Sequence, residues 1–564
     1  MSASAAIETP SPGRGSLQLA VFEIAWIFLI FFLFAGSLPP DVGESHYLVK
    51  AKHYWQPTWC VGDLFLESHD AHGMFSWTFG WVTRFCSLSA TAWIGRLVIW
   101  LGLAWSWRRL SWVVAPRPLV SLLSAGLMLF FLRNFHVAGE WIVGGVEAKG
   151  FAYVLVFLAL EAIARNQWRA ALLLAGAAGA FHVLVGGWTA VAIGLAWPMP
   201  AGDRPRLSSL LPAAAGGLIL ALPGIVPAIA LNWGVPKDVA GEAARIYVFE
   251  RLNHHLVYHL FPPLFISRFQ ILLIAWAALV WALRREPLLG RVERVVAGAV
   301  AIAFVGLLID QVFVLLVNAA QMTALAAQLT FAPAMRFYWF RMSDSLVPVG
   351  VSLAIVVGLL RLESSRPALA AWLQVVAILV AGANLADVGF WRFKQRLPPA
   401  ILQPRPTADS WPRSWLSQEH PAEPGAVTAE QWYRDWQAVC RWVATQTSAD
   451  AMFLTPREQQ TFKWYAGRAE VVNWKDIPQD ARGLVEWKKR YDEVYPRDHD
   501  HNRHDLAAFS DAALVALAQK YRAQYIVVDH TRAERRIGLP LLYPSFREEN
   551  RSFGVYRVPQ PPQP

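Results

Sequence analysis

The sequence predicts an α-helical polytopic membrane protein of about eleven transmembrane helices with a C-terminal soluble α/β domain. Three observations carry this. Of the 564 residues, 55% are hydrophobic and only 16% charged, where a soluble chain carries nearer a quarter, and the mean hydropathy is +0.32. Apolar runs of about 20 residues recur, the length that crosses a bilayer core. After about residue 390 these runs shorten and helical and strand patterns alternate, as in a small layered domain.

Residues 1–16 are small and polar and read as a disordered cytoplasmic tail. The run 17–38 is longer than a signal-peptide core and reads as an uncleaved first span. Ten more spans fall near 91–107, 118–135, 148–164, 169–182, 184–198, 208–230, 266–283, 295–317, 343–360 and 369–389, giving a membrane domain over 17–390. Arg108, Arg109 and Arg117 follow the second span, Arg165 and Arg169 the fourth, and Arg204 and Arg206 the sixth. Arg284, Arg285, Arg291 and Arg294 follow the eighth, and Arg361 and Arg366 the tenth. All lie on one side, and such an excess marks the cytoplasmic side. The N-terminus is therefore expected in the cytoplasm and, after an odd number of spans, the C-terminal domain outside. The net charge of +10 is then a topology signal, and no nucleic-acid partner is expected.

The first external loop, 39–90, is far longer than a turn needs. Its segments HYLVKAKHYW and GMFSWTFGWVTRF carry aromatics every three or four residues, the look of helices lying in an interface. GAFHVLVGGW breaks the pair 169–198 into a hairpin, tolerable at membrane depth only when shielded. Residues 391–427 are a Pro-rich linker. In 428–564, Thr428 is expected to cap a helix with Gln431 three residues on, and Trp432, Trp436, Cys440 and Val443 share its apolar face. AMFLT (451–455), EVVNW (470–474), YIVVD (525–529) and FGVYRV (553–558) read as strands. Helices are expected from about 457, over 481–491 and along LAAFSDAALVALAQKYR. The three cysteines form no CxxC pair. Cys60 and Cys86 share the first loop, either paired or free.

The chemistry-bearing stretch is PDVGESHYLVKAKHYW, Pro40–Trp55. Asp41 and Glu44 lie one helical turn apart, with His46 and His53 beside them. A positioned carboxylate takes a proton from an attacking acceptor, and two together can share a divalent cation. Glu147 and Lys149, in EWIVGGVEAK, sit at the mouth of the fourth span, as a helix-orienting salt bridge or as the wall of an external cavity. His182 is a hydrogen-bonded core group or a substrate contact. Arg245, Arg251, His254 and His255 lie in an aromatic loop, where cations suit phosphate or lipid headgroups. His255 and His259 are four apart, but there is no HExxH and no zinc site is expected. Arg336 and Arg341 flank an aromatic run, suited to bidentate phosphate contacts or to snorkelling in an aromatic belt; Asp344 is expected to hold one of them. Asp529 and His530 read as strand-end caps, and RDHDHNRHD (497–505) as a solvated loop.

Together these features resemble the GT-C superfamily of polytopic glycosyltransferases, which includes protein O-mannosyltransferases, lipid A aminoarabinose transferases and oligosaccharyltransferase catalytic subunits. More narrowly, PDVGESHYLVKAKHYW, GGVEAKGFAY, FHVLVGGW, FYWFRMSD and TPREQQTFKWYAGRAEVVNWKDIP are similar to an uncharacterised bacterial membrane family of that kind. The resemblance implies a protein of the bacterial inner membrane with a periplasmic C-terminal domain. It implies a polyprenyl-phosphate sugar donor, its tail between the spans and its phosphate facing the external loops. Asp41 and Glu44 become base and partner, in either order. Arg245, Arg251, His254, His255, Arg336 and Arg341 become lipid-phosphate contacts, supported by His46, His53, Glu147, Lys149, His182 and Asp344. No cofactor is expected; a divalent metal is not favoured, for want of a second clear acidic cluster. The rivals are a transporter or flippase of lipid-linked glycans, which would favour internal repeats that are not visible, and a non-catalytic assembly protein.

Overall fold

The computed structural model describes residues 14–199, 204–394, 397–401, 427–457, 459–497, 505–532, 535, 537–546 and 549–559. Residues 1–13 of the predicted tail, most of the linker and most of RDHDHNRHD lie outside the described residues; residues 14–16, expected in the tail, form the first turn of a helix.

Helices stand at the stretches where the eleven spans were expected. They are α1 (Arg14–Ala35), α5 (Leu88–Val114), α6 (Val120–Asn134), α7 (Ala148–Ala164), α8 (Trp168–Phe181), α9 (Val183–Ala196), α10 (Leu211–Ala230), α13 (Pro263–Ala282), α14 (Pro287–Asn318), α16 (Arg341–Ser365) and α17 (Pro367–Lys394). Between them lie α2 (Glu44–Trp55), α3 (Leu64–Glu67), α4 (Gly73–Thr78), α11 (Lys237–Arg245), α12 (Asn253–Leu256) and α15 (Ala324–Met335). Among the described residues seven helices, α1, α5, α10, α13, α14, α16 and α17, are long and apolar enough to cross a membrane. The chain is a multi-pass membrane protein.

Helix α16 is buried along most of its length and packs against α6, α9, α13, α14 and α17. Small residues set the tightest contacts. A Cβ on Gly186 of α9 would overlap the Gly179 backbone of α8, and one on Gly176 would overlap Gly217 of α10. Near one end of the bundle the arginines expected to mark topology meet acids: Arg108 with Glu23 (2.9 Å), Arg109 and Arg165 with Glu161 (2.7 and 3.0 Å), Arg117 with Glu363 and Arg361 with Glu286. The first loop gathers at the other end, where α2 contacts the C-terminal domain. Cys60 and Cys86 are both free.

The C-terminal domain holds α18 (Ala429–Gln446), β1 (Met452–Leu454), α19 (Phe462–Ala466), β2 (Ala469–Glu470), α20 (Ala481–Val494), α21 (Asp511–Lys520), β3 (Tyr525–Asp529), β4 (Leu541–Tyr543) and β5 (Phe553–Arg557). The sheet order is β2-β1-β3-β5-β4, parallel across β2-β1-β3 and antiparallel across β3-β5-β4. Thr428 caps α18 through the Gln431 N–H (3.2 Å), and Trp436, Cys440 and Val443 are buried. Asp529 accepts from Thr531 and from the Trp432 indole, and His530 meets the Tyr556 hydroxyl at 2.9 Å, so both close the strand end.

Three local expectations are corrected. LAAFSDAALVALAQKYR is not one helix: a 3₁₀ turn at 506–508 precedes α21, which restarts because Ser510 caps it through the Ala513 N–H (3.2 Å). The helix expected from about 457 begins at Phe462. EVVNW is a strand only at its first residue. Beyond it the Asn473 side chain accepts the N–H groups of Lys475 and Asp476 (2.9 and 2.7 Å), a turn that competes with strand pairing.

Candidate functional site

The acid pair after α1 is split by its partners. Glu44 is fully buried and takes a two-pronged ion pair from Arg96 of α5, both contacts at 2.6 Å. It also accepts the N–H groups of Asp41 (2.7 Å) and Val146 (2.9 Å). Arg96 in turn donates to the Ser37 carbonyl at 2.5 Å. Glu44 therefore ties the end of span one, α5 and the 144–147 loop together, and its oxygens are committed. Asp41 is half-buried, with one oxygen accepting the Val42 N–H at 2.7 Å.

Two glycines let this loop touch the GGVE loop. A Cβ on Gly43 would overlap the Glu147 carboxylate, and one on Gly145 would lie 2.7 Å from the Asp41 Cβ. Only residues without a side chain permit that approach. The acidic motifs of the two loops thus meet face to face.

Beside them lies a cavity of about 400 Å³. Five cations line it, Lys149, Arg251, Arg336, Arg341 and Lys475, against two carboxylates, Glu140 and Glu147. His46, His72, His182 and His255 and the phenols of Tyr47, Tyr247 and Tyr338 complete the polar wall. Val183 and Leu184 of α9 and Ala228 and Leu231 at the end of α10 form an apolar wall.

Some of these groups are spoken for. Glu140 lies 2.9 Å from Arg341 and 3.3 Å from Lys149. Arg341 also donates to His182 Nε2 at 3.1 Å, while His182 Nδ1 accepts the Val185 N–H at 3.4 Å and so caps α9. His255 Nδ1 donates to the Ala138 carbonyl at 2.5 Å. Tyr247 and Tyr338 join through their hydroxyls at 3.1 Å. Arg251 donates to the Trp474 carbonyl at 3.0 Å and lies over its indole. Glu147 is freer, with Lys149 at 3.8 Å; burial lifts its pKa above the ordinary value, with Lys149 and Lys475 opposing. Among the described residues, neither Arg336 nor Lys475 has a hydrogen-bond or ion-pair partner for its side chain.

Asp344 does not hold an arginine as expected. Its carboxylate accepts three backbone N–H groups, from Val137 and Ala138 (both 2.8 Å) and Glu140 (3.2 Å), and so clamps the loop that presents Glu140. Arg245 does not line the cavity: it is committed to Glu242 (2.7 Å) and Glu250 (2.8 Å). The His254 ring lies against that of His255, with centres 4.1 Å apart and planes tilted by 45°; burial, then Arg251, lowers its pKa to about 4. His53 donates to the Trp59 carbonyl at 2.8 Å within the first loop and is absent from the cavity wall. His259 pairs with Asp310 at 2.9 Å. Among the described residues, no group of three or more His, Cys, Asp or Glu side chains is arranged to hold a metal ion. Sequence reasoning missed Lys475, because no local pattern announces a residue that reaches a cavity from another domain, and His72, which lies in the first loop but outside the Pro40–Trp55 stretch.

A family profile described as a domain of unknown function (DUF6798) matches residues 434–494. No curated protein matches the sequence. Similar solved structures include the archaeal oligosaccharyltransferase AglB from Archaeoglobus fulgidus in complex with an inhibitory peptide and a dolichol-phosphate, at 11% identity over 92% of this chain and 69% of that one, TM-score 0.43. The oligosaccharyltransferase of the same organism in the apo form matches at 11% identity over 91% and 69%, TM-score 0.49. ArnT from Cupriavidus metallidurans bound to undecaprenyl phosphate matches at 11% identity over 97% and 99%, TM-score 0.33.

Proposed function

We propose that the chain is a membrane glycosyltransferase that moves a sugar from a polyprenyl-phosphate donor to an acceptor, at the end of the bundle where the first loop meets the C-terminal domain. The observation that carries this is the cavity wall: five cations against two carboxylates, beside an apolar face from α9 and α10. That combination suits an amphiphile with an anionic head and a hydrocarbon tail, the cations taking phosphate oxygens by charge-assisted hydrogen bonds. The arginines near the opposite end of the bundle support a cytoplasmic position for that end and an external one for the cavity.

In the reaction an acceptor oxygen or nitrogen attacks the anomeric carbon with inversion. The bond from that carbon to the phosphate oxygen breaks, and the phosphate leaves with the electron pair. Arg251, Arg336 and Arg341 receive its charge. The acceptor proton passes to a carboxylate. Asp41, in the first external loop, is the proposed base, and Glu147 the acid facing it across the Gly43 contact. Glu44 acts on Asp41 only through its backbone N–H.

The test is glycolipid and glycan profiling by mass spectrometry of membranes carrying Asp41→Asn or Glu147→Gln, together with the lipid retained by the purified protein. Loss of a general base lowers transfer by about 100-fold or more, so Asp41→Asn is expected to abolish the product while the protein stays folded and keeps its donor lipid. Unchanged profiles in both folded variants would sink the enzymatic reading.

A further inference from the structure

Among the described residues, the C-terminal domain reaches the cavity wall through one stretch, 475–484. After β2 the chain leaves the sheet, and the Asn473 side chain folds 473–476 into a tight turn that puts Lys475 in the cavity wall. The turn is anchored on every side. The Asn473 carbonyl accepts from the Trp487 indole at 2.9 Å, and the Trp474 carbonyl from Arg251 at 3.0 Å. Asp476 lies between His46 of the first loop (3.3 Å) and Lys463 of α19 (2.8 Å). Lys463 also meets Glu470 (2.8 Å) and Asp63 of the first loop (3.2 Å), all four groups being buried. Burial alone would depress the Lys463 pKa, but the three carboxylates prevail and hold it well above its ordinary value.

We propose that Lys475 is an anion ligand of this cavity, delivered by the C-terminal domain, and that it contacts the phosphate of the lipid-linked donor and of the lipid phosphate that departs. The proposal rests on the glycosyl-transfer reading of the same cavity and adds to it a role for the soluble domain.

The argument is one of cost. A firmly anchored turn presents a single long cation, half-buried, with no hydrogen-bond or ion-pair partner among the described residues. Its neighbours in the wall include Arg251 and Lys149. Desolvation and like charge both penalise an ammonium there, and a bound anion removes both penalties. Burial, then Arg251, brings the Lys475 pKa down to about 8, while Glu147 and Asp476 pull it back up. The ammonium is therefore complete below that pH and lost as pH rises through it. A guanidinium, unlike an ammonium, does not titrate in this range. The Tyr47 and Tyr338 phenols lie well above their ordinary range, both through burial first, and burial lowers His46 and His255 below theirs. Lys50 also falls to about 8, through burial, but its ammonium is spent on the Phe65 and Ser68 carbonyls.

The experiment measures binding of labelled undecaprenyl phosphate, and separately of inorganic pyrophosphate, to the full chain in nanodiscs between pH 6.5 and 9.5 (a range set about the lysine's titration). Affinity of the wild type is expected to fall as pH rises through about 8. Lys475→Gln is expected to bind about tenfold more weakly at neutral pH, the size of one charge-assisted contact, with an unchanged melting temperature. Lys475→Arg should restore binding and flatten the decline, which neither a packing role nor Lys50 would produce. Wild-type affinity in Lys475→Gln, or an undiminished decline in Lys475→Arg, overturns the proposal. Pyrophosphate binding that depends on Lys475, without binding of undecaprenyl phosphate, keeps the anion ligand and discards the lipid donor. Binding of neither probe discards both.

Discussion

The fork between Glu44 and Arg96 decides what the D-x-x-E motif means. Both side chains are fully buried, and each is the other's charge partner. Removing one member of such a pair strands the other and costs about 3–5 kcal/mol. Glu44→Gln is therefore expected to lower the melting temperature and yield of the detergent-purified protein, whereas Asp41→Asn leaves both near wild type and removes transfer. A Glu44→Gln variant of normal stability and no activity would return Glu44 to the chemistry. The sequence put two acids one turn apart but gave no means of telling a buried anchor from a half-buried base. That distinction is made by Arg96, on a different helix. Equally, Glu147 and Lys149 were read either as a salt bridge or as a cavity wall, and they are both: the pair at 3.8 Å lines the cavity.

At the scale of elements, hydropathy located the long apolar helices because each is encoded within its own run. The short strands were harder. EVVNW has strand composition, yet Asn473 turns the chain after two paired residues, and that turn is what exposes Lys475. The loop 137–140 is another element held by a side chain it does not contain. Asp344 accepts three of its N–H groups. In Asp344→Asn at least one of these donors loses its acceptor, at about 1–3 kcal/mol for a buried group. Hydrogen exchange followed by mass spectrometry is expected to show faster exchange confined to 137–140, with weaker donor binding because Glu140 and the Ala138 contact to His255 move with it. Unaltered exchange there would refute the clamp. In the soluble domain, Thr428→Ala removes the cap of α18 and should cost about 1 kcal/mol, read as a lower melting temperature without loss of donor binding.

At the scale of the whole molecule, a buried charged joint links the membrane bundle and the C-terminal domain, and Lys488 adds an ion pair with Glu250 at 3.0 Å. Three buried carboxylates, Asp63, Glu470 and Asp476, surround the single ammonium of Lys463. Lys463→Met leaves those charges without compensation, and the first loop and the 473–476 turn should part. Limited proteolysis is expected to cut the variant faster between the two parts, and donor binding should fall as in Lys475→Gln, but with a lowered melting temperature. Wild-type resistance to protease would show that the joint is held by something else.

By itself the sequence determined that this is a multi-pass protein, where its apolar helices run and that a small α/β domain follows. Those properties reside in hydropathy, periodicity and capping, which act over a few turns of chain. Only the tertiary structure decided which charges form a site. Arg96 withdraws Glu44, Glu242 and Glu250 withdraw Arg245, and Asp344 turns to backbone instead of arginine. Gly43 and Gly145 bring Asp41 to Glu147, and a distant domain adds Lys475. Arg245 finds its acids within its own loop, but the other partners act through space between segments far apart in the chain, 52 residues for Glu44 and Arg96 and 207 for Asp344 and Val137, and nothing in the spacing of either segment records the other.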